Sequence, residues 1–329
     1  MEAVLVPDAA SRPQPGGRTG LIRNPLSRRN RKNGARELPN VADVLTAEPE
    51  LSALGETLRE FARREVGLVI VDGGDGTVRE VLTALPAGYG DELPRLAILA
   101  SGTTNLIAAD VGAGRADPST VQMLAAIARA GVGEGLVQRR SSLAVSWPDG
   151  SRPEVHGMFL GAAAFTRATD ISVRLVRQGK IDESAGIAAT LMAALAEALA
   201  GAERERWMRG DPMTVTLDGA APDEGARFVF MASTLEKLVL GIWPFWGEGQ
   251  GVRYLDVTSP PKRLVAALPA VMRGRPRPWM PAAGYRSGAA PWLDLAIGQP
   301  FVIDGEVFEA GPGGTVRLSA GLDLEFLVP

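Results

Sequence analysis

Cysteine is absent from the 329 residues, and histidine occurs only once. The absence of cysteine excludes disulfide bonds, thiolate metal sites and cysteine nucleophiles, and it fits a reducing compartment, so we expect the protein in the cytoplasm. Long apolar runs are missing as well, because no stretch reaches the roughly 18 uninterrupted apolar residues that a membrane-spanning helix needs. We therefore expect no transmembrane segment.

A strong excess of either charge is also lacking. The 35 basic and 38 acidic side chains leave a formal net charge of −3, so no overall field attracts a polyanion, and nucleic acid is not an expected partner. Apolar residues make up 46% of the chain, as in ordinary globular proteins, and the length favours two domains. Residues 1–18, which mix Pro, Gly and Arg, predict a flexible arm.

The N-terminal half alternates apolar runs with turns. Apolar runs at 19–23, 67–71 and 95–100 predict strands, and the segment 48–65 has the spacing of an amphipathic helix. Continuous β-branched runs are typical of parallel strands that are buried on both faces. The order of strand, turn and helix predicts a doubly wound α/β domain, in which ligands bind at the carboxyl ends of the strands.

The C-terminal half has a different texture. From about residue 137, short alternating runs separated by turn residues predict strands, with one long helix near 183–208. The predicted fold class is an α/β N-terminal doubly wound domain followed by a β-rich C-terminal domain. The expected domains are 19–136 and 137–317, and a last strand at about 318–329 could return to the first domain.

Two turns rich in small residues follow the buried strands. Gly73-Gly74-Asp75-Gly76-Thr77 follows the first, and 101–105 (SGTTN) follows the second. Glycine lets the backbone approach phosphate oxygens and exposes N–H donors to an anion. Asp75 repels bare phosphate, so its predicted role runs through a magnesium ion or its waters. A purely structural alternative is a tight turn in which Thr77 caps the following helix. Two such turns at adjacent strand ends nevertheless favour a shared anion pocket.

Four motifs together resemble a known family. They are Asn24-Pro25, the GGDGT turn followed by Glu80-Val81, GTTN at 102–105, and the late triplet 304–306 (Asp-Gly-Glu). In this combination the sequence resembles the diacylglycerol kinase catalytic-domain family, which includes bacterial diacylglycerol kinases, sphingosine-type kinases and related lipid kinases. The resemblance runs from about residue 19 to the C-terminus and is strongest before residue 112. It implies the fold shared by diacylglycerol kinases and NAD kinases.

The resemblance implies an ATP site and a general base. Nucleotide contacts are implied for Asn24, Pro25, Leu26, Ser27, Arg28, Thr46, Gly73, Gly74, Asp75, Gly76, Thr77, Val78, Arg79, Gly102 and Thr103. Asp75 and Glu306 are the implied catalytic residues, and Glu306 would accept the proton of the lipid hydroxyl. Asp304 would share a strand face with Glu306, so spacing alone does not choose between the two acids. Without the family, 304–306 predicts only a hairpin turn.

The implied function is an ATP-dependent lipid kinase that requires Mg²⁺ and phosphorylates a lipid hydroxyl such as that of diacylglycerol. Its lipid substrate would lie at a membrane surface, so the protein would also be peripheral at the inner membrane face. An edge strand of the β-rich domain could pair with a copy of itself in a homodimer. Family members carry Asp after the GTTN motif and Asp-Gly before a late strand, where this chain has Leu106 and Val252-Arg253. The sequence therefore assigns no metal ligands.

Three other functions stay open. GGDGT also occurs in NAD kinases, which would phosphorylate a soluble dinucleotide, although GTTN and the late Asp-Gly-Glu argue against this function. Leu106 and Val252 suggest a catalytically inactive lipid- or nucleotide-binding regulatory protein. A dinucleotide-binding oxidoreductase ranks last, because no G-x-G-x-x-G follows the first strand.

Several conspicuous residues have a structural interpretation as well. His156 has no Ser or Cys motif near it, which predicts a structural role. Arg28 lies in the first loop, whereas Arg31 and Lys32 are predicted to be solvated. The aromatic segments at 243–246 and 273–292 could form a rim that dips into a membrane, although aromatic residues of β domains are more often core.

Overall fold

The structure, a computed structural model, describes residues 17–33, 44–131, 136–177, 201 and 204–329. The arm predicted for residues 1–18 lies almost wholly outside the described residues. The same holds for most of the helix predicted near 183–208.

Parallel strands form the N-terminal part of the sheet. They are β1 (Arg18–Arg23), β2 (Val44–Ala47), β3 (Val66–Gly73), β4 (Arg95–Ala100) and β5 (Ala113–Gly114). β3 is buried at all eight of its positions, as its continuous apolar run predicted. β1, β3 and β4 pair in parallel, so their carboxyl ends meet at one edge of the sheet. The first loop and both small-residue turns begin at that edge.

Helices cover this part of the sheet. They are α1 (Arg28–Asn33), α2 (Leu54–Arg63), α3 (Asp75–Tyr89), α4 (Leu106–Val111) and α5 (Pro118–Ala130). The apolar face of α2 buries Leu54, Leu58 and Phe61, at the spacing that predicted an amphipathic helix. A Cβ on Gly20 would lie 2.4 Å from the Phe61 ring, so glycine at this position lets α2 pack closely on β1.

The C-terminal half is mainly β-structure. Its strands are β6 (Val137–Ser146), β7 (Val155–Gly157), β8 (Phe159–Ala163), β9 (Asp211–Leu217), β10 (Asp223–Ser233), β11 (Val252–Thr258), β12 (Tyr285–Ala290), β13 (Trp292–Ile297), β14 (Phe301–Ile303), β15 (Glu306–Phe308) and β16 (Thr315–Leu327). Its described helices are α6 (Ala164–Arg177), α7 (Arg204–Arg209) and α8 (Leu264–Met272). The predicted architecture, an α/β part followed by a β-rich part, is confirmed.

One strand joins the two halves. Along the main path of the sheet the strand order is β15-β14-β8-β10-β9-β13-β16-β4-β3-β1-β2. β16 pairs with β13 and β6, and at its end Phe326 lies beside Leu96 of β4. The last strand, predicted at about 318–329, spans Thr315–Leu327, and its register with β6 shifts between Ala320 and Asp323. The domain boundaries at 136 and 317 stay a prediction, because the sheet runs across both.

A buried ion pair also connects the halves. The Arg140 guanidinium of β6 donates to the Asp110 carboxylate of α4 with an Nε to Oδ2 distance of 2.7 Å. The backbone amides of Glu236 and Lys237 donate to Asp110 Oδ1 at 3.1 and 2.7 Å. Asp110, the first acid after Leu106 in the sequence, is thus occupied in holding α4 against the β-rich half.

The aromatic residues of the two candidate rim segments pack into the core. Phe245 is buried, and Trp243, Trp246 and Trp279 pack half-buried against the same apolar cluster. These aromatic side chains therefore have core contacts, and a membrane contact of the two segments stays a prediction. None of the helices in the described part of the chain has the length and apolar character that crossing a membrane requires.

Candidate active site

The first loop is hydrogen-bonded to the GGDGT turn. The Asn24 side-chain amide donates to the Thr77 hydroxyl at 2.8 Å, and the Asn24 backbone amide donates to the Asp72 carbonyl at 2.9 Å. Asn24 Oδ1 accepts from the Leu26 amide at 2.9 Å, which closes the loop on itself. Asn24 thus orients the first loop against the start of α3.

Asp72, the last side chain of β3 before the glycines, links several elements beneath the two turns. Its carboxylate accepts hydrogen bonds from the Asn30 amide at 3.2 Å and from the Ser101 hydroxyl, and Arg23 Nε lies 3.6 Å away. Burial raises the pKa of Asp72, and these donors oppose the rise. The carboxylate therefore fastens β1, β3, β4 and α1 beneath the two turns.

The two small-residue turns touch through glycine backbone. A Cβ on Gly102 would lie 2.5 Å from the Gly74 Cα, and a Cβ on Gly74 would lie 2.9 Å from the Gly102 Cα. Real side chains cannot occupy such positions unless the backbones separate. The prediction that both turns converge on one place at the sheet edge agrees with this contact.

Asp75 begins α3, and its carboxylate is bonded to the start of α4. Oδ2 accepts from the Leu106 amide at 3.0 Å and Oδ1 accepts from the Ile107 amide at 2.9 Å. The N-terminus of a helix favours a negative charge in this position. Burial raises the pKa of Asp75, whereas the amide hydrogen bonds lower it. Asp75 therefore joins the two turns, and its action through magnesium stays a prediction.

Glu306 reaches the GGDGT turn from the far half of the chain. It begins β15 just after a two-residue turn in which Asp304 and Gly305 have φ angles of 46° and 90°, as a tight hairpin requires. Its Oε1 lies 3.2 Å from the place that a Cβ on Gly76 would occupy. The side chain is 54% exposed, so one face of the carboxylate stays open to a substrate.

Arg79 holds Glu306 in this position. Its guanidinium is 1% exposed and donates to Glu306 Oε2 at 2.9 Å, and it also contacts Glu80. The same group lies 5.0 Å from the Phe308 ring centroid and 3.4 Å from the Ile303 carbonyl. One cation on α3 therefore binds both strands of the hairpin that carries Glu306.

Asp304 supports the hairpin from inside. Its carboxylate accepts from the Met158 and Phe159 amides at 2.9 and 3.0 Å. Burial, together with the nearby charge of Asp75, raises the pKa of Asp304 to about 8. Asp304 is buried and Glu306 is exposed, so the structure distinguishes the two acids that spacing alone did not.

The raised pKa of Asp304 predicts a pH-dependent stability. Between the unfolded value of 3.8 and the folded value of about 8, the folded protein holds a proton that the unfolded chain releases. Stability should therefore fall as pH rises through this window, by up to about 1.4 kcal/mol per pH unit. We expect Asp304→Asn to flatten the decline of the free energy of unfolding in urea titrations between about pH 5 and pH 8.

The exposed acid Asp91 offers a matched control. Asp91→Asn should leave the pH profile of the wild type unchanged. Parallel profiles for the wild type and Asp304→Asn would contradict the assignment of the proton to Asp304.

The other residues predicted to contact the nucleotide differ in access. Pro25, Leu26 and Thr103 are exposed beside the turns, and Arg28 is half-buried at the start of α1. Ser27 is buried, and its hydroxyl has no hydrogen-bond partner among the described residues. An unpaired buried hydroxyl of this kind is suited to a ligand that is added later.

Three of the predicted contacts have no exposed side chain at the turns. Thr46 is exposed on β2, where it pairs with Leu21 of β1. Val78 and Arg79 have side chains that are each 1% exposed, and the Val78 amide already donates to the Gly74 carbonyl. Their contacts with a nucleotide stay predictions.

His156 lies in a hydrogen-bonded row that the sequence did not reveal. Its Nδ1 is 3.0 Å from the Ser142 hydroxyl and its Nε2 is 3.2 Å from Glu154 Oε1. The residue types are those of a hydrolytic triad, but Ser142 has 0% exposure and its hydroxyl accepts from the Leu322 amide at 2.8 Å. No substrate can reach a serine buried in this way, so the row is structural.

Metal ligands are not grouped in the described residues: no set of three or more His, Asp or Glu side chains is arranged to hold an ion there. Val252 is buried in β11, and the Arg253 guanidinium lies 5.7 Å from the Trp243 ring centroid. The positions that replace the Asp-Gly pair thus have packing roles.

The comparison with known proteins agrees with the motifs. Residues 20–134, about a third of the chain, match the family model described as the diacylglycerol kinase catalytic domain. The predicted resemblance to the diacylglycerol kinase catalytic-domain family is therefore confirmed, for the segment that contains the first loop and both turns. Glu306 lies outside the matched segment.

Individual relatives match this chain over a short segment. The chain is 47% identical over 55 residues to the "Probable lipid kinase YegS" of Shigella flexneri, and 49% identical over 57 residues to the protein of that name from Escherichia coli strain K12 / DH10B. Each match covers 17% of this chain and 18% of the relative. The matched segment is thus less than a fifth of the length of these relatives.

Solved structures extend the likeness of fold over nearly the whole chain. A diacylglycerol kinase from Bacillus anthracis str. Sterne has a TM-score of 0.59 and 16% identity, and the match covers 95% of this chain and 97% of that one. A second structure from the same strain has a TM-score of 0.65 and 17% identity with the same coverage. The fold is therefore that of these proteins in both halves.

Proposed function

We propose that the protein is a lipid kinase that transfers the γ-phosphate of ATP to a hydroxyl group of a lipid such as diacylglycerol. One observation carries the proposal: the Glu306 carboxylate, which is partly exposed, lies against Gly76 of the GGDGT turn. A nucleotide triphosphate at the turn would place its terminal phosphate close to this acid. The family match over residues 20–134 supports the same activity.

The residues of the site fit a nucleotide. The Gly74 and Gly102 backbones pack directly against each other, which places the two turns side by side at the sheet edge. The buried Ser27 hydroxyl has no hydrogen-bond partner among the described residues, so a ligand could supply one. Mg-ATP, when bound, supplies the phosphoryl group, and its phosphates and waters provide most of the ligands that Mg²⁺ needs. Asp75, at the start of α3, is the acid that would act on the magnesium ion or its waters.

In the proposed reaction Glu306 Oε1 accepts the proton as the lipid O–H bond breaks. The lipid oxygen then bonds to the γ-phosphorus while the bond to the β,γ-bridging oxygen breaks, and ADP leaves. Arg79 holds the other oxygen, Oε2, at 2.9 Å, so only Oε1 is free for the proton. A carboxylate positioned in this way contributes typically 10²- to 10⁴-fold to rate.

A catalytically inactive nucleotide- or lipid-binding protein is the second candidate. The observation that favours it is that both oxygens of Asp75 already accept amide hydrogen bonds from α4. Leu106 also stands where family members carry an acid.

The experiment that tests the proposal is an incubation of purified protein with Mg-ATP labelled at the γ position, NAD and a total lipid extract. Labelled lipid supports the kinase, and product identification then names the acceptor. Labelled NADP would replace the proposal with an NAD kinase. Binding of nucleotide or lipid without transfer would support the inactive protein.

A further inference from the structure

Helix α8 has an apolar outer face that no element among the described residues covers. The helix contains only apolar residues, LVAALPAVM. Ala267 and Ala270 face the core, with 0% and 8% exposure. Val265, Ala266 and Pro269 are exposed on the other side, and Val265 is 61% exposed. The spacing of these three positions places them on one face of the helix.

Basic side chains frame this face at both ends. Lys262 and Arg263 precede the helix, Arg273, Arg275 and Arg277 follow it, and all five are exposed. Arg263 lies 5.4 Å from the Trp279 ring centroid. In the part of the chain that the structure describes, no carboxylate pairs with any of the five. We call α8 with these basic residues the α8 patch.

The sequence around the patch also excludes acids. Residues 257–293 contain no Asp or Glu, although they contain six Lys and Arg residues. The chain as a whole has more acids than bases, with a net charge of −3, so this stretch is locally positive against the balance of the protein. An apolar strip with cationic ends matches the chemistry of an anionic lipid surface.

A second exposed apolar side chain, Leu240, lies on a segment that contacts α4 at one end and α8 at the other. Leu240 is 67% exposed and belongs to a single-turn helix, Val239–Gly241, that packs on α4. The Trp243 amide, which follows it, donates to the Met272 carbonyl at the end of α8 with a distance of 2.8 Å. Because α4 begins directly after the second turn of the candidate site, this segment links the patch to the site.

The size of the patch favours a lipid surface over a protein. A helix of nine residues is about 13 Å long, so its outer face offers a few hundred Å² at most, well below the ~800 Å² per partner of a stable protein interface. A membrane needs no such area, because shallow insertion of apolar side chains and attraction of cations to anionic head groups act together.

We propose that the α8 patch docks the protein onto anionic lipid bilayers, with Val265, Ala266 and Pro269 inserted among the lipids and the flanking basic side chains at the head groups. This proposal rests on the proposed function, because docking would bring the kinase to a lipid acceptor in the membrane. The docking itself requires neither nucleotide nor catalysis.

Vesicle sedimentation without nucleotide tests the proposal. Vesicles of phosphatidylcholine with phosphatidylglycerol are compared with vesicles of phosphatidylcholine alone. The wild type should bind the anionic vesicles and be released by salt. The triple variant Arg273→Ala, Arg275→Ala, Arg277→Ala should partition roughly a hundred-fold less, as expected for three cations near a charged surface. Val265→Glu should reduce partitioning roughly ten-fold.

Matched controls come from exposed positions elsewhere. Met123 on α5 is 42% exposed, so Met123→Glu should bind vesicles like the wild type. The triple variant Arg59→Ala, Arg115→Ala, Arg152→Ala makes the same change of net charge at exposed positions outside the patch and should also bind normally. Thermal unfolding confirms that all variants are folded.

Equal binding of the patch variants and the controls would overturn the proposal. A change of oligomeric state in the patch variants without a change in vesicle binding would also overturn it, and would assign the patch to a second copy of the chain. Phosphorylation of a short-chain diacylglycerol in solution separates the two claims. Transfer without vesicle binding refutes the docking alone, and vesicle binding without transfer refutes the kinase alone.

Discussion

Glu306→Gln should reduce phosphoryl transfer to a lipid by 10²- to 10⁴-fold while leaving nucleotide binding nearly unchanged. Glutamine keeps the size of the side chain and can still accept from Arg79 through its amide oxygen, so the hairpin should stay in place. It cannot accept the proton of the acceptor hydroxyl. The measurement is the rate of lipid phosphorylation beside the dissociation constant of ATP.

Glu309 provides the matched control for this variant, because it is an exposed acid close to the same hairpin whose backbone carbonyl accepts from the Trp147 indole at 3.0 Å. Glu309→Gln should leave both rate and affinity as in the wild type. Full turnover by Glu306→Gln would show that another group accepts the proton, and Asp304 could not serve without leaving its two amide donors.

Gly102→Ala should weaken nucleotide binding by at least about ten-fold and lower the free energy of unfolding by about 1–3 kcal/mol. Its Cβ would lie 2.5 Å from the Gly74 Cα and 2.9 Å from Asn105 Oδ1. The Gly74 Cα belongs to the backbone and cannot rotate away, and the Asn105 side chain is held by the Gly102 amide at 2.8 Å, so the two turns must separate. Amides that converge on one anion would then diverge. Calorimetric titration with ATP and urea unfolding measure the two effects.

Gly298 is the control for this substitution, because nothing lies within 4 Å of a Cβ built there and its φ angle is not in the left-handed region. Gly298→Ala should change neither quantity. Wild-type ATP affinity in Gly102→Ala would contradict the model in which both turns contribute to one phosphate site.

The local features of the site could be predicted from the sequence. The apolar run of β3 and the glycines that follow it belong to one continuous segment, so pattern and turn chemistry were enough to place the GGDGT turn at a strand end. The contact between Gly74 and Gly102 follows from parallel pairing of neighbouring strands, which puts their carboxyl ends side by side.

The long-range features could not be predicted in this way. The Arg79–Glu306 pair joins residues 227 positions apart, and no periodicity of either segment encodes the other. A signal was present, since Arg79 interrupts the apolar positions at the start of α3, and a buried cation requires an acid. Likewise, the hydrogen bonds of Asp304 depend on how β14 pairs with β8. Helix α6, at Ala164–Arg177, was not predicted, because the one long helix expected in this half was placed near 183–208.

Strand β16 affects how the protein unfolds. This strand, Thr315–Leu327, pairs with β13 and β6 along most of its length and with β4 at Phe326, so it connects the part of the sheet that carries the turns to the part that carries the hairpin. Deleting the last residues of β16 would remove a pairing partner from β4 and from β6 at the same time. The deletion should therefore also destabilise the GGDGT turn and the turn at 101–105. Because both halves share this strand, unfolding of either half by heat or urea should destabilise the other. We therefore expect a single cooperative unfolding transition.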